Sequence, residues 1–202
     1  LYTSSTGATT HFYDAVTDGN AITQITIANV ASTANFWYYD EKSGDWTITA
    51  SDATPAKDGN NGIDDADDAL TVVPATATTL AFTIQPSATA TAGVDFATQP
   101  EITVQDNYGN TVPLFGNDIT VAAVLASDGV TPGNGLLNGT KVQTPTNGVA
   151  TYSGLDYTVA EDIKLKATAT GISGDHLSAT ISVVPAPVES YIVTTHTPQT
   201  AG

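Results

Sequence analysis

The chain has 202 residues, 13% of them charged, with 5 basic against 21 acidic side chains, a net charge of −16, and neither cysteine nor methionine. All five bases are lysines, which leaves a nucleic acid or an anionic membrane surface without the cationic groups that would hold it. Lack of cysteine excludes a disulfide framework, a thiol nucleophile and a thiolate zinc site. Absence of the oxidisable sulfur side chains suits an extracellular, cell-surface or secreted setting, and divalent cations are the natural electrostatic complement of so acidic a chain. No apolar run is long enough to cross a bilayer. Alanine and valine dominate the apolar share, so the polar surface rests on Thr, Ser, Asn and Gln.

In chain order, the densest aromatic run lies in "NFWYYDEKSGDWTITAS" (35–51). In a strand, Phe36 and Tyr38 face one side while Trp37 and Tyr39 face the other. Three uses fit Trp37, Tyr39 and Trp46: burial in a core, a contact between modules or subunits, and stacking on a sugar ring. Next comes "DGNNGIDDADDALTVVPA" (58–75), an acid-rich turn running into a strand. With Asp52 before it, the stretch offers Asp52, Asp58, Asn60, Asp64, Asp65, Asp67 and Asp68 as hard oxygen ligands, and Gly59 and Gly62 allow tight turns. That chemistry suits calcium. The terminal glutamate spacing of an EF-hand is missing, and a solvated acidic loop accounts for the same residues.

From residue 80 onward, period-2 patterns predict strands at 80–84, 101–106, 118–125, 148–155, 162–170 and 176–184. Over 162–170, Ile163, Leu165 and Ala167 share one face and Lys164, Lys166 and Thr168 the other, the mark of a half-buried antiparallel strand. Between these lie the turn sequences "DNYGN" (106–110), "ASDG" (126–129), "TPGNG" (131–135) and "PTNG" (145–148). Asp106, Asn107 and Asn110 could help ligate a cation, although a positive-φ turn explains them adequately. Asn138-Gly139-Thr140 fits a glycosylation sequon. Lys164 or Lys166, with Glu101 and an asparagine, could form an isopeptide link, though a lysine on an alternating strand ordinarily faces solvent. His11, His176 and His196 are dispersed and no nucleophile elbow accompanies them, so no enzyme activity is expected.

The chain also repeats. "TVVPA" (71–75) returns as "SVVPA" (182–186), and "LAFTIQPSATATAG" (80–93) is echoed by "YIVTTHTPQTAG" (191–202). More loosely, 22–51 parallels 141–170. The roughly 110-residue spacing approaches that of an immunoglobulin-like sandwich. Three segments follow: 1–75 as the C-terminal part of one module, 76–187 as a complete module, and 188–202 as the first strand of another, or a strand donated to a neighbouring copy.

At "PEITVQDNYGNTV" (100–112), "NGVATYSGL" (147–155) and "DIKLKATAT" (162–170), the chain resembles the bacterial immunoglobulin-like tandem repeats of invasin/intimin type, found in large surface adhesins and S-layer-associated proteins. The resemblance is good over 76–187 and weaker over 1–75. It implies an all-β fold of tandem immunoglobulin-like antiparallel β-sandwiches, strung end to end as a stalk, fibre or surface layer without catalysis. Neighbouring modules or further copies of the chain are then its partners. The alternatives are an adhesin module that binds a glycan or receptor, and a spacer in a secreted carbohydrate-active enzyme.

Overall fold

A chain rich in Thr and Val with Gly, Asn and Pro at its turns favours strands over helices. The computed structural model describes residues 1–29, 31–53, 57, 59 and 61–188, and every regular element among them is a strand. Two compact units divide it: Leu1–Thr79 with Val104–Phe115, and Leu80–Thr103 with Gly116–Gly202. The stretch around the 106–110 turn groups with the first unit, which its sequence position does not reveal.

The first unit carries β1 (Tyr2–Thr3), β2 (His11–Tyr13), β3 (Ala21–Ile22), β4 (Trp37–Tyr39), β5 (Gly44–Ala50) and β6 (Ala66–Val72). They form two antiparallel sheets of order β1-β5-β6 and β3-β2-β4. β6 is an exposed edge, and Asp67 and Asp68 on it discourage pairing with another chain.

A buried polar knot ties this unit together. Asp106 is 2% exposed, and its carboxylate accepts from Ala75 N, Tyr108 N, Asn110 N and Asn110 Nδ2, each at 2.9 Å. Asn110 in turn accepts from Ser43 N at 3.0 Å and donates to Glu41 O at 2.7 Å. Asp106 thereby ties Ala75 to its own turn, and Asn110 of that turn adds the distant stretch at 41–43. Gly109 has φ +83, so the turn also needs a residue without Cβ. With all its acceptor sites taken by N–H groups, Asp106 serves as an anchor for the backbone.

The later strands are β7 (Thr79–Ile84), β8 (Thr89–Thr91), β9 (Glu101–Gln105), β10 (Ile119–Leu125), β11 (Leu137–Asn138), β12 (Val142–Gln143), β13 (Val149–Thr151), β14 (Asp156–Tyr157), β15 (Asp162–Ala169), β16 (Ile172–Leu177) and β17 (Ile181–Val184). The larger sheet runs β12-β10-β15-β17-β8 with β16 beside β15; β13-β9-β7 and β11-β14 are smaller sheets. In the second unit, Ile102 of β9, Ile119 and Val121 of β10, Ile163, Leu165 and Ala167 of β15, and Ile181 of β17 are at most 1% exposed. Tyr152, equally buried, donates its hydroxyl to Ile119 O at 2.9 Å, so this polar atom does not enter the core unpaired.

The predicted strand at 162–170 keeps its two faces, Ile163, Leu165 and Ala167 inward and Lys164, Lys166 and Thr168 outward, with Lys166 paired to Asp175. Other expectations need correction. The segment 176–184 is two strands, because Ser178 exchanges hydrogen bonds with Leu165 backbone and Ala179 N turns to Gln85 Oε1, which breaks the run. The strand predicted over 148–155 is only Val149–Thr151. β17 and β8 pair in parallel, so this sheet is not wholly antiparallel. Asn147 and Gly148, with φ 51 and 80, make the tight turn that "NG" favours. Each repeat tag closes a strand that pairs antiparallel with the long strand before it, β6 with β5 and β17 with β15. The echo at 191–202, and all but the first residue of the expected segment 188–202, lie outside the described residues.

Two expectations follow. Leu165→Ala, which empties a fully buried site, lowers stability by about 2–5 kcal/mol in urea unfolding, while Lys164→Ala on the opposite face changes it by no more than about 0.5 kcal/mol. For Asp106, burial opposes the charge, but bonds from the Asn110 side chain and from Ala75, Asn110 and Tyr108 N–H outweigh it and hold its pKa below the ordinary 3.8. A lowered folded pKa means stabilisation that is complete above the unfolded value and lost as pH falls through the folded one. Asp106→Asn therefore lowers stability by about 2–3 kcal/mol at neutral pH, and the gap to the parent chain narrows below about pH 4.

Candidate functional site

Alternation along two short strands builds one unusual surface. β2 and β4 pair with register His11↔Tyr39, Phe12↔Tyr38 and Tyr13↔Trp37. Successive side chains point to opposite faces, so Phe12 and Tyr38 share one side while His11, Tyr13, Trp37 and Tyr39 share the other.

The first side is packed. Phe12 is 8% exposed and meets Phe36 edge-on at 5.6 Å and Tyr38 at 5.1 Å between ring centroids. The Tyr38 hydroxyl donates to Asp40 Oδ2 at 2.6 Å and lies 2.9 Å from Thr3 Oγ1. Burial, reinforced by the bond to Asp40, raises the Tyr38 pKa. This side supplies the packing that holds β2 and β4 together.

The second side is open. Trp37 is 37% exposed and Tyr39 41%, and the His11 and Tyr13 rings lie 6.0 Å apart, tilted by 55°. The Tyr39 hydroxyl donates to the Tyr108 hydroxyl at 3.4 Å; this bond, with some desolvation and the nearby Tyr108 and Glu41 charges, pushes the Tyr39 pKa up to about 12. Tyr108, itself half-exposed, sits in the turn that Asp106 anchors. Beside the face is a cleft of about 300 Å³ whose lining includes Tyr13, Trp37, Tyr38 and Tyr39, with Ala15, Val16, Asp18 and Gly19 of the loop between β2 and β3. Rigid aromatic rings with polar tips, exposed side by side, form a contact surface that loses little side-chain entropy on binding.

The other residues singled out in the sequence go elsewhere. Trp46 is on β5, in the other sheet of its unit, with Nε1 donating to Lys42 O at 2.9 Å and its ring against Gly44. Asp52 Oδ2 accepts from Ile63 N at 3.1 Å, and a Cβ at Gly62 would lie 2.5 Å from that oxygen. Asp65 Oδ2 accepts from Gly59 N at 2.8 Å, and Asp67 Oδ1 accepts from Thr49 Oγ1 at 2.5 Å. Asp64 and Asp68 are exposed, and Asp68 points to the face opposite Asp67. Asp58 and Asn60 lie outside the described residues. Among the described residues, no three acidic or histidine side chains come together as a metal-binding group. Asn138 is exposed on β11, with Nδ2 donating to Asp156 Oδ1 at 3.0 Å.

The sequence did not place His11 and Tyr13 on the aromatic face, nor Tyr108 beside Tyr39. "HFY" (11–13) carried the same alternating signal as "FWYY", but nothing local says that the two segments pair.

No protein-family model matches the chain, and no curated protein matches it. Among solved structures it is similar to part of a glycosyl hydrolase family 2 member from Bacteroides cellulosilyticus, with TM-score 0.43 and 8% identity, covering 86% of this chain and 21% of that one. It is likewise similar to part of a beta-glycosidase from Bacteroides vulgatus, with TM-score 0.41 and 16% identity, again covering 86% and 21%. The chain thus spans about a fifth of the length of either protein, and these are likenesses of all-β architecture alone.

Proposed function

We propose that this chain is a non-catalytic, extracellular β-module that binds carbohydrate through the open face of the β3-β2-β4 sheet. The observation that carries the reading is the placement of His11, Tyr13, Trp37 and Tyr39 on one face while Phe12 and Tyr38 pack on the other. A small sheet gains by burying apolar rings, so Trp37 and Tyr39 exposed beside His11 and a half-buried Tyr13 are a costly arrangement without a ligand. The C–H face of a pyranose supplies a flat apolar partner, and its hydroxyls reach the polar rim of the cleft. Binding is then largely preorganised, because β2 and β4 already hold the rings.

A structural role as one unit of a repeat array is the second reading, supported by the TVVPA and SVVPA tags, each of which closes a strand paired with the long strand before it. It expects the gene to encode further tagged units, and it is compatible with carbohydrate binding by one of them.

Affinity electrophoresis of the 202-residue chain through gels containing soluble polysaccharides tests the first reading. At least one polysaccharide retards it, and Trp37→Ala weakens the interaction by at least about tenfold, near 1.4 kcal/mol. Trp46→Phe, in the other sheet, leaves retardation unchanged. Unretarded migration through every gel would remove the reading.

A further inference from the structure

We infer that the aromatic cleft selects uncharged pyranosides over uronate- or sulfate-bearing ones, with Asp18 as the acceptor for ligand hydroxyls; this rests on the carbohydrate-binding reading.

The loop between β2 and β3 is shaped to present that side chain. Asp14 N donates to Asn20 O at 3.2 Å, and both Asn20 N (2.7 Å) and Asn20 Nδ2 (3.1 Å) donate to the Asp14 carboxylate. These bonds close the loop into a ring, and the Asn20 side chain, then its backbone N–H, hold the Asp14 pKa below its ordinary value. Within the ring, a Cβ on Gly19 would come 2.4 Å from Ala15 O, so the chain turns back on itself there. Asp18 sits at φ 53, a conformation that non-glycine residues seldom adopt and that Asp and Asn tolerate best. Such positions persist where the surroundings over-determine them, and they concentrate at ligand sites.

Asp18 lines the cleft with Tyr13 and Trp37, and its carboxylate has no hydrogen-bond or ionic partner among the described residues. Asp14, on the same loop, is already committed to Asn20. No lysine lines the cleft. An ionised carboxylate only accepts hydrogen bonds, so it complements the O–H donors of a sugar standing on the aromatic face. A second carboxylate or a sulfate brought there would meet a like charge with no cation to offset it.

The test measures binding of the parent chain, Asp18→Asn and Asp18→Gly to a neutral glucan, a neutral galactomannan, polygalacturonate and heparin, with choline as a separate probe. Both variants suit a positive φ, so the loop keeps its shape while the charge is lost. The parent chain is expected to bind one neutral polymer at least about tenfold more tightly than either anionic one. Each variant should weaken neutral binding three- to tenfold and narrow the margin over the anionic polymers. Equal or tighter binding of an anionic polymer by the parent, unchanged neutral affinity in both variants, or a preference for choline would each overturn the inference while leaving the aromatic face a binding surface. If the parent binds none of the four polymers, the carbohydrate reading itself falls.

Discussion

One buried carboxylate organises the first unit. Asp106 gathers four N–H donors from Ala75, Tyr108 and Asn110, and Asn110 passes the connection on to Glu41 and Ser43. A charge removed from water is tolerable only when fully hydrogen-bonded, and here every donor comes from backbone or from one amide side chain. Few apolar side chains of this unit are buried, Phe12 and Val104 being the principal ones. Polar ties therefore do much of the work that a larger core does in the second unit, where β9, β10, β15 and β17 contribute fully buried Ile, Leu and Val.

That knot and the candidate site are connected through the backbone. Glu41 and Ser43 follow β4 directly, so holding them limits where Trp37 and Tyr39 stand. Tyr108 lies inside the anchored turn and receives the Tyr39 hydroxyl. The arrangement is a rigid support behind exposed rings, and the loop carrying Asp18 is similarly tied by Asp14 and Asn20. Preorganisation of this kind reduces the entropy lost on binding, as the proposed recognition role requires.

Alternation was legible where a strand is long and two-faced. Ile163, Leu165 and Ala167 against Lys164, Lys166 and Thr168 needed no tertiary information, nor did the assignment of Phe36 and Tyr38 to the side opposite Trp37 and Tyr39. The turn at Asn147-Gly148 was equally plain, since only particular residues accept its backbone angles. The break at Ser178 was not legible, because the side chain that causes it bonds to Leu165 thirteen residues away. The parallel pairing of β17 with β8 joins segments some ninety residues apart, and an alternating pattern looks the same in either direction.

By itself, the amino-acid sequence determined an all-β chain, the two faces of its longer strands, its repeat tags and its acidity, since these follow from local periodicity, turn chemistry and composition. Tertiary structure alone decided that "HFY" pairs with "WYY" to place four aromatic residues on one surface, that Trp46 belongs to a different sheet, and that Asp106 and Asn110 together join three distant stretches. The physical reason is range. Backbone angles and side-chain alternation act over a few residues, whereas strand partners and buried hydrogen bonds are chosen among segments that meet only when the chain folds.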